Sequence, residues 1–259
     1  MKFVIQHNLM NNEQLLKVNN AIKNFPHIFV GLIPFSREIT SDEPIDGDEY
    51  CPYGSTLLTN LAYENGWKGL YFDLKLFDYE VFTSNRTDML NDFTVLTVED
   101  AVQFMYKSTK DWFIRPVKDL KQFSGQVINS KSCHDWLLDA MECASSGSYQ
   151  LDKKDKVVIS PVRNIQAEWR YFIIDRKIVS GSMYRAHGQL RKQEELNEDV
   201  LKEAQSFADK WLPHECCVMD LALVDDEVKV IEFNCINSSG FYANNVDEIF
   251  NKLYEYNTK

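Results

Sequence analysis

The sequence predicts a mixed α/β (α+β) chain: a small parallel α/β lobe, then a strand-rich region that closes on a helix. Three observations predict it. Between residues 2 and 73, short apolar runs alternate with amphipathic helical stretches, the order that builds a parallel sheet with crossover helices. Beyond residue 157, apolar runs follow one another through short polar turns, as antiparallel strands do. The 259 residues are 44% hydrophobic, which suits one large domain or two intimate lobes with a sizeable core.

Taken in order, Lys2 to Gln6 reads as a short buried strand. Asn11 or Asn12 can cap a helix reaching about Asn24, with Leu15, Leu16, Val18, Ala21 and Ile22 on its apolar face; Phe25-Pro26 ends it. Ile28 to Phe35 is a second strand. Ile39 to Gly54 is polar, acidic and broken by Pro and Gly, and reads as a loop; its acidic part, Thr40 to Glu49, is a solvated segment or a lid. Ser55 caps a helix over Thr56 to Glu64, stopped by Asn65-Gly66, and Leu70 to Asp73 is a third strand.

Thr97 and Asp100 form a capping-box variant for a helix through Tyr106. Trp112 to Val117 and Phe123 to Ile128 are strands. His134 to Cys143 is a helix, with Trp136, Leu137, Ala140 and Met141 inward, and 144–148 is a flexible turn. Val157 to Pro161, Glu168 to Ile174 and Ile178 to Arg185 are strands, the last two joined by a hairpin turn at Asp175 to Lys177. Glu194 to Trp211 is a long amphipathic helix with Leu196, Val200, Ala204, Phe207, Ala208 and Trp211 as its stripe. Met219 to Leu223 and Glu227 to Asn234 form a hairpin, and Val246 to Tyr256 a last helix.

Charge and composition exclude several functions. A net charge of −11 without a long basic run argues against nucleic acid as a partner. The N-terminus turns polar too soon for a signal peptide, and no apolar run approaches the roughly 18 residues of a membrane span. The 6 cysteines contain no C-x-x-C pair and read as reduced, mostly buried thiols of a cytoplasmic protein. The 5 histidines, His7, His27, His134, His187 and His214, lack metal-ligand spacing; His187, close after Arg185, is the one placed to border a site. No G-x-x-x-x-G-K-[ST] loop and no Ser–His–Asp or Cys–His arrangement is apparent.

What remains is misplaced charge. Asp220, Glu232 and Asn234 interrupt runs of Val, Ile, Leu, Met and Phe. A carboxylate there must be paired, protonated or bound to a cation, or else sit on a solvated strand face. Glu232 and Asn234 share a face, and an oxygen-only set of this kind suits Mg²⁺. Arg115 lies in an aromatic strand, where it can grip a phosphate or pair at a strand edge, the latter favoured by Pro116. Glu168 and Arg170 share a strand face, as an ordinary ion pair would. Arg185 closes its strand, a position usually solvated.

The order of these residues is more telling than any one of them. The chain runs Phe113-Ile-Arg-Pro116, Lys121-x-Phe-Ser-Gly125, Val157-Val-Ile-Ser-Pro-Val162, Glu168-x-Arg-Tyr-Phe-Ile173, Met183-Tyr-Arg185, Met219-Asp-Leu-Ala222, then Ile231-Glu-Phe-Asn234. This order resembles the ATP-grasp superfamily of carboxylate–amine ligases, in particular the phage-rich clade in which an arginine replaces a nucleotide-binding lysine. The resemblance spans about residues 97 to 255. It implies a lobe at 1–96 preceding an ATP-grasp domain at 97–259, itself divided into a small nucleotide-binding lobe, 97–160, and a metal-bearing lobe, 161–259. It implies ATP and Mg²⁺ as cofactors. Arg115 and Lys121 would contact phosphates or the adenine side, and the stretch from Val158 through Ile159, Ser160, Pro161 and Val162 would be the hinge that meets adenine. Glu168 would meet the ribose or orient Arg170. Arg170 and Arg185 would act on the γ-phosphate and the acyl-phosphate made from it. Asp220, Glu232 and Asn234 would hold Mg²⁺, and Asn237 and Ser238 would face the acceptor. The family's usual Asn-x-Ser/Asn-Pro-Gly ending is here Asn234-Cys-Ile-Asn-Ser-Ser-Gly240, a departure in the acceptor loop. The expected function is therefore an ATP-dependent ligase joining a carboxylate to an amine on a small molecule, peptide or protein. Phosphoryl transfer to a stable acceptor, or nucleotide binding without turnover, are the alternatives.

Overall fold

The computed structural model describes residues 1–33, 36–92, 94–118, 122–145 and 151–259. The N-terminal lobe contains β1 (Lys2–Gln6), α1 (Asn12–Ile22), β2 (His27–Leu32), β3 (Ile39–Ser41), β4 (Tyr50–Tyr53) and α2 (Thr56–Glu64), with sheet order β3-β2-β1-β4. β1 pairs parallel with both β2 and β4. The third parallel strand is therefore Tyr50–Tyr53, inside the stretch expected to be a loop, and 70–73 is not a strand. Pro52 hid it: β4 lies at the sheet edge, where a missing N–H need not break the ladder. Residues 69–71 run alongside β4 without joining it. The Gly69 N–H donates to the Tyr50 carbonyl at 2.9 Å, and the Tyr71 N–H to Asn237 Oδ1 at 2.9 Å. A Cβ on Gly69 would lie 2.6 Å from Cys51 Cα, so the close approach needs glycine. Both predicted caps form: Asn11 and Gln14 make a capping box on α1, and the Ser55 hydroxyl accepts from the Leu58 N–H on α2. Leu16, expected on the inner face of α1, is exposed.

A second unit holds α3 (Tyr79–Asn85), β5 (Thr94–Thr97), α4 (Val98–Tyr106), β6 (Asp111–Pro116), β7 (Gln126–Asn129), α5 (Ser130–Ser145) and β8 (Lys156–Pro161). Its antiparallel sheet runs β5-β8-β6-β7. α4 and α5 cover one face through Val98, Val102, Met105, Ile114, Leu137 and Ile159. Alternation then sends Phe113 and Arg115 to the opposite face.

The third unit is a five-stranded antiparallel sheet, β11-β10-β9-β12-β13, made of β9 (Ile165–Ile174), β10 (Lys177–Ala186), β11 (Gln189–Glu194), β12 (Cys217–Val224) and β13 (Glu227–Asn234), with α6 (Glu198–Lys210) and α7 (Val246–Asn257). Its hairpins turn on residue pairs with positive φ: Asp175-Arg176, His187-Gly188 and Asp225-Asp226. This is the left-handed geometry that matches strand twist in two-residue turns. The helix expected over Glu194 to Trp211 forms as α6 but starts later, at Glu198, because Glu194 is the last residue of β11. Asn197 caps α6 through the Asp199 and Val200 N–H groups, and 189–194 pairs with β10.

One face of this sheet packs on α6 and α3, through Tyr79, Phe82, Tyr171, Phe207, Met219 and Phe233. The other meets α7 and the N-terminal lobe at one end, through Phe172, Ile174 and Val218 against Phe3, Ile5 and Phe250. Phe3 meets Phe250 edge-on at 5.2 Å, and Phe25 stacks on Tyr254 at 4.4 Å. Asn237, buried in the turn after β13, ties the lobes together. Its Nδ2 donates to the carbonyls of Pro52 (2.8 Å) and Gly69 (2.9 Å) while its Oδ1 takes the Tyr71 N–H. The rest of that sheet face is left for a cleft against the second unit. Among the described residues, no helix is long and apolar enough to cross a membrane.

Candidate active site

The core of the site is a row of side chains in cross-strand register: Ser182 on β10, Arg170 on β9, Asp220 on β12 and Glu232 on β13. Arg170 lies two residues before Phe172, so it emerges from the same face as that buried ring, beyond the end of the core. Its Nε and Nη2 donate to the two Asp220 oxygens at 2.8 and 2.7 Å, and its Nη1 to the Gly240 carbonyl at 3.2 Å. Asn234 Nδ2 donates to Asp220 at 3.3 Å. Asp220 is almost fully buried. Burial pushes its carboxyl above the ordinary range, against the pull of Arg170. Burial also pulls at the Arg170 cation, but Asp220 outweighs it and holds the guanidinium above its usual value. The carboxylate at 220 is thus sustained by one arginine.

Arg115 approaches from β6, on the other side of the cleft. Its Nη1 meets Glu232 at 2.7 Å, and its guanidinium lies 4.8 Å from the Tyr79 ring centre. Tyr79 is fixed in turn, donating to the Ile231 carbonyl and accepting from the Asn91 N–H. A bulge in β10 between Met183 and Arg185 brings both Tyr184 and Arg185 onto Glu168. Tyr184 donates to Glu168 Oε2 at 2.7 Å and Arg185 Nη1 to Oε1 at 3.2 Å. The expected Glu168–Arg170 pair does not form: Glu168 pairs with Arg185, and Arg170 with Asp220. Tyr242 stacks on Tyr184 at 4.6 Å and 11°, and its ring centre is 4.9 Å from the Arg170 guanidinium. It holds φ at +52°, a left-handed conformation uncommon for a bulky side chain.

These groups line one cleft of about 420 Å³. It brings together Arg115, Pro161, Glu168, Arg170, Arg185, Asp220 and Glu232. Asn234 is buried, and its Nδ2 meets Asp220. Ile159 and Ser160 do not present side chains to the cleft. Ile159 is in the core under α4 and α5, and Ser160 donates to Asn91 Oδ1 at 2.8 Å; Val162 is exposed. Lys121 lies outside the described residues. Asn237, expected to face the acceptor, is consumed by the inter-lobe bonds described above, whereas Ser238 borders a second cavity. His187 sits in the β10–β11 turn, its N–H bonded to the Gln166 carbonyl.

Sequence reasoning passed over Tyr79, Asn91, Tyr184 and Tyr242, and Lys118 and Arg163, which line the same cleft. Tyr184 had a signal, since it sits between Met183 and Arg185 in a motif already singled out. Tyr79, Asn91 and Tyr242 had none, because their roles rest on contacts far away in the chain.

The set Asp220, Glu232 and Asn234 has the hard oxygen chemistry that Mg²⁺ takes, and the strand register places the two carboxylates side by side. Here both carboxylates are engaged by arginines. No cluster of three or more His, Cys, Asp or Glu suited to a metal occurs among the described residues. The donors fit the ion if the arginines turn to the phosphates it would accompany.

A family model described as ATP-grasp domain, R2K clade family 2, matches residues 92–251, more than half of the chain. Comparison with curated proteins found no match. Among solved structures, a RimK domain ATP-grasp protein from Sphaerobacter thermophilus is similar at a TM-score of 0.64 and 10% identity, over 98% of this chain and 100% of that one. D-cycloserine synthetase DcsG is similar at 0.63 and 10%, over 99% of each chain. The ATP-grasp ligase PsnB, solved with a minimal precursor, is similar at 0.55 and 14%, over 98% of each. At these identities the likeness is one of fold.

Proposed function

The chain belongs to the ATP-grasp family, R2K clade family 2, and from that premise we propose that it is an ATP- and Mg²⁺-dependent ligase joining a carboxylate to an amine through an acyl-phosphate. The observation that carries this reading is the cleft where Arg115, Arg170 and Arg185 face Glu232, Asp220 and Glu168 between two antiparallel sheets. A phosphate chain entering it finds cations on both walls.

In this reading the small lobe is 97–160, the metal-bearing lobe 161–259, and 1–96 the lobe that precedes them. Arg115 binds the α- or β-phosphate, with Lys121 a second cation there. Of the expected hinge, the backbone at 161–162, where β8 leaves the sheet, bonds adenine; at Val158 and Ile159 it is already paired with β5 on one side and β6 on the other. Glu168 holds Arg185, and Tyr184 fixes Glu168, so Arg185 is aimed into the cleft from a rigid base. Arg170 and Arg185 take the γ-phosphate. Asp220, Glu232 and Asn234 would hold Mg²⁺, whose charge offsets the phosphates and polarises the bond that breaks.

The chemistry then needs no protein nucleophile. An oxygen of the substrate carboxylate attacks the γ-phosphorus, and the bond to the ADP oxygen breaks. The arginines stabilise the charge as it moves. The amine nitrogen next attacks the acyl carbon. A C–N bond forms, the C–O bond to phosphate breaks, phosphate leaves with the electron pair, and the nitrogen loses a proton. Similar folds include D-cycloserine synthetase and a ligase solved with a precursor, which supports a small-molecule or peptide acceptor. Free cysteines, five of them buried, fit a reducing cytoplasm.

The test is ADP and phosphate release with candidate carboxylates and amines, comparing wild type with Glu232→Gln. The expected result is ADP, phosphate and a new amide, with a Glu232→Gln variant that binds Mg–ATP more weakly and turns over at least tenfold more slowly. ADP with a phosphorylated product would instead make the protein a kinase. Unchanged Mg–ATP binding and turnover in Glu232→Gln would remove the metal site from the proposal.

A further inference from the structure

The turn after Gly240 holds a tyrosine in a backbone conformation that tyrosine disfavours. The Asn244 N–H donates to the Phe241 carbonyl at 2.9 Å, which closes the turn, and Tyr242 inside it has a φ of +52°. Crowding at Cβ makes this left-handed geometry unfavourable for a bulky residue, whereas glycine or asparagine adopts it readily. Both ends of the turn are tied down. Phe241 stacks on Tyr53 at 4.7 Å and on Phe172 at 5.6 Å. Asn244 Nδ2 donates to Ser182 Oγ at 3.0 Å, and the Asn245 N–H to Ser180 Oγ at 2.8 Å. Local strain persists where the surroundings fix the chain this firmly.

Core packing does not account for a tyrosine here, since Tyr242 is 37% exposed. Its ring contacts belong to the cleft. The ring stacks on Tyr184 at 4.6 Å and 11°, Arg170 Cζ lies over it at 4.9 Å, and Lys192 Nζ at 5.9 Å. Tyr184 lies 5.9 Å from the same Arg170 carbon and donates to Glu168, which in turn accepts from Arg185. One ring therefore touches Arg170 directly and supports Arg185 through Tyr184 and Glu168. Arg115, on the other wall, rests on Glu232 and Tyr79.

We propose that Tyr242 is a positioning residue: its ring holds Arg170, and through Tyr184 also Arg185, in the orientation that receives the γ-phosphate, and the left-handed turn is what delivers the ring there. The role rests on the ligase reading, in which these two arginines take that phosphate; the contact between ring and guanidinium does not. Arg170 is bonded to Asp220 and to the Gly240 carbonyl. Those bonds are directional and are lost when the guanidinium turns to a phosphate. Attraction to a ring face does not depend on which N–H points where, so it keeps the cation in place through the exchange.

The test compares the full wild-type chain with Tyr242→Asn and Tyr242→Phe. Asparagine accepts the left-handed backbone, so the turn is kept while the ring is removed; phenylalanine keeps the ring. Calorimetry gives the affinities for Mg–ADP and for the magnesium complex of the β,γ-imido analogue of ATP, which carries a γ-phosphate and is not split. Heteronuclear NMR of the nucleotide-free protein follows the Arg170 Nε–H signal, identified by its loss in Arg170→Lys. Tyr242→Asn is expected to lower the preference for the imido analogue over ADP by about fivefold or more while ADP affinity stays within about twofold. The Arg170 Nε–H should exchange with water faster in that variant, and Tyr242→Phe should match wild type throughout. A tyrosine that only supported the fold would weaken both nucleotides alike. Equal loss for the two nucleotides, no loss for either, or a phenylalanine variant that behaves like the asparagine one would overturn the proposal. Should neither nucleotide bind wild type, the ligase reading falls by itself. Faster Arg170 exchange in Tyr242→Asn alone would then still uphold the positioning, and unchanged exchange would overturn it.

Discussion

Replacing Arg170 by methionine isolates the charge at Asp220. The wild-type pair is sequestered, with side chains 11% and 2% exposed, and Asp220 accepts from Arg170 through both oxygens. Removing one partner of such a pair costs about 3–5 kcal/mol because the other charge is stranded in a poor solvent. Asp220 escapes by binding a proton. Burial already pushes its carboxyl up, and with the guanidinium gone the Asn234 amide is what still donates to it among the described residues. The folded variant therefore holds a proton at a pH where the unfolded chain, with an aspartate near roughly 3.9, has released it. Stability must then fall as pH rises above about 4, by ~1.4 kcal/mol per pH unit, until the folded-state value is reached. A cost of about 3–5 kcal/mol spreads over roughly two to four pH units. Urea unfolding of wild type and Arg170→Met from pH 4.5 to 7.5 should show a gap that widens once pH passes the already raised value of the wild-type carboxyl, by up to about 3 kcal/mol. The double variant Arg170→Met/Asp220→Asn, with no charge to strand, should show a gap flat with pH. A gap in the single variant that does not change with pH would refute the reasoning, since Asp220 would then have another counter-charge.

Asn237→Ala should destabilise the chain by about 2–4 kcal/mol in urea, because the Tyr71 N–H and the Pro52 and Gly69 carbonyls each lose a buried partner; a loss under about 1 kcal/mol would mean that water replaces the amide. His214 is held below the ordinary histidine range, mainly by burial, while its Nδ1 accepts from the Cys216 N–H at 3.0 Å. The unfolded chain binds that proton more readily, so stability drops as pH falls through about 6.5. The margin of wild type over His214→Gln should narrow between pH 7.5 and 5.5, and parallel unfolding curves would count against it.

What could be read in the sequence was local. Asn11, Ser55 and Thr97 cap their helices as expected, since a cap is decided within four residues. The polar turns at 175–176 and 225–226 behave likewise. β11 was invisible because every one of its residues is exposed, so no alternation marks it. β4 was masked by Pro52, and α3 lay in a stretch without a clear period. At the site, the charged residues stood out because they broke apolar strands, but their partners did not. Strand-face logic pairs Glu168 with Arg170. The actual partners come from neighbouring strands: Asp220 from directly across on β12, and Arg185 from β10 beside a bulge that no local pattern announces. Asn237 shows the same limit, since a polar residue in a Ser-rich turn gives no hint that it reaches back to residues 52, 69 and 71.

That reach carries a consequence for how the chain is made. Asn237 stands 185 residues after Pro52 and 166 after Tyr71, and Phe3 needs Phe250 to complete its packing. On a ribosome adding roughly 5–20 residues per second, the N-terminal lobe waits on the order of ten to forty seconds for these partners. During that interval β1 and the inner side of α1 present Phe3, Ile5, Val18 and Ile22 without the cover that Phe172, Val218 and Phe250 later supply. The last helix to emerge is the one that seals the first strand, so a chain released short of residue 250 keeps its N-terminal lobe uncovered.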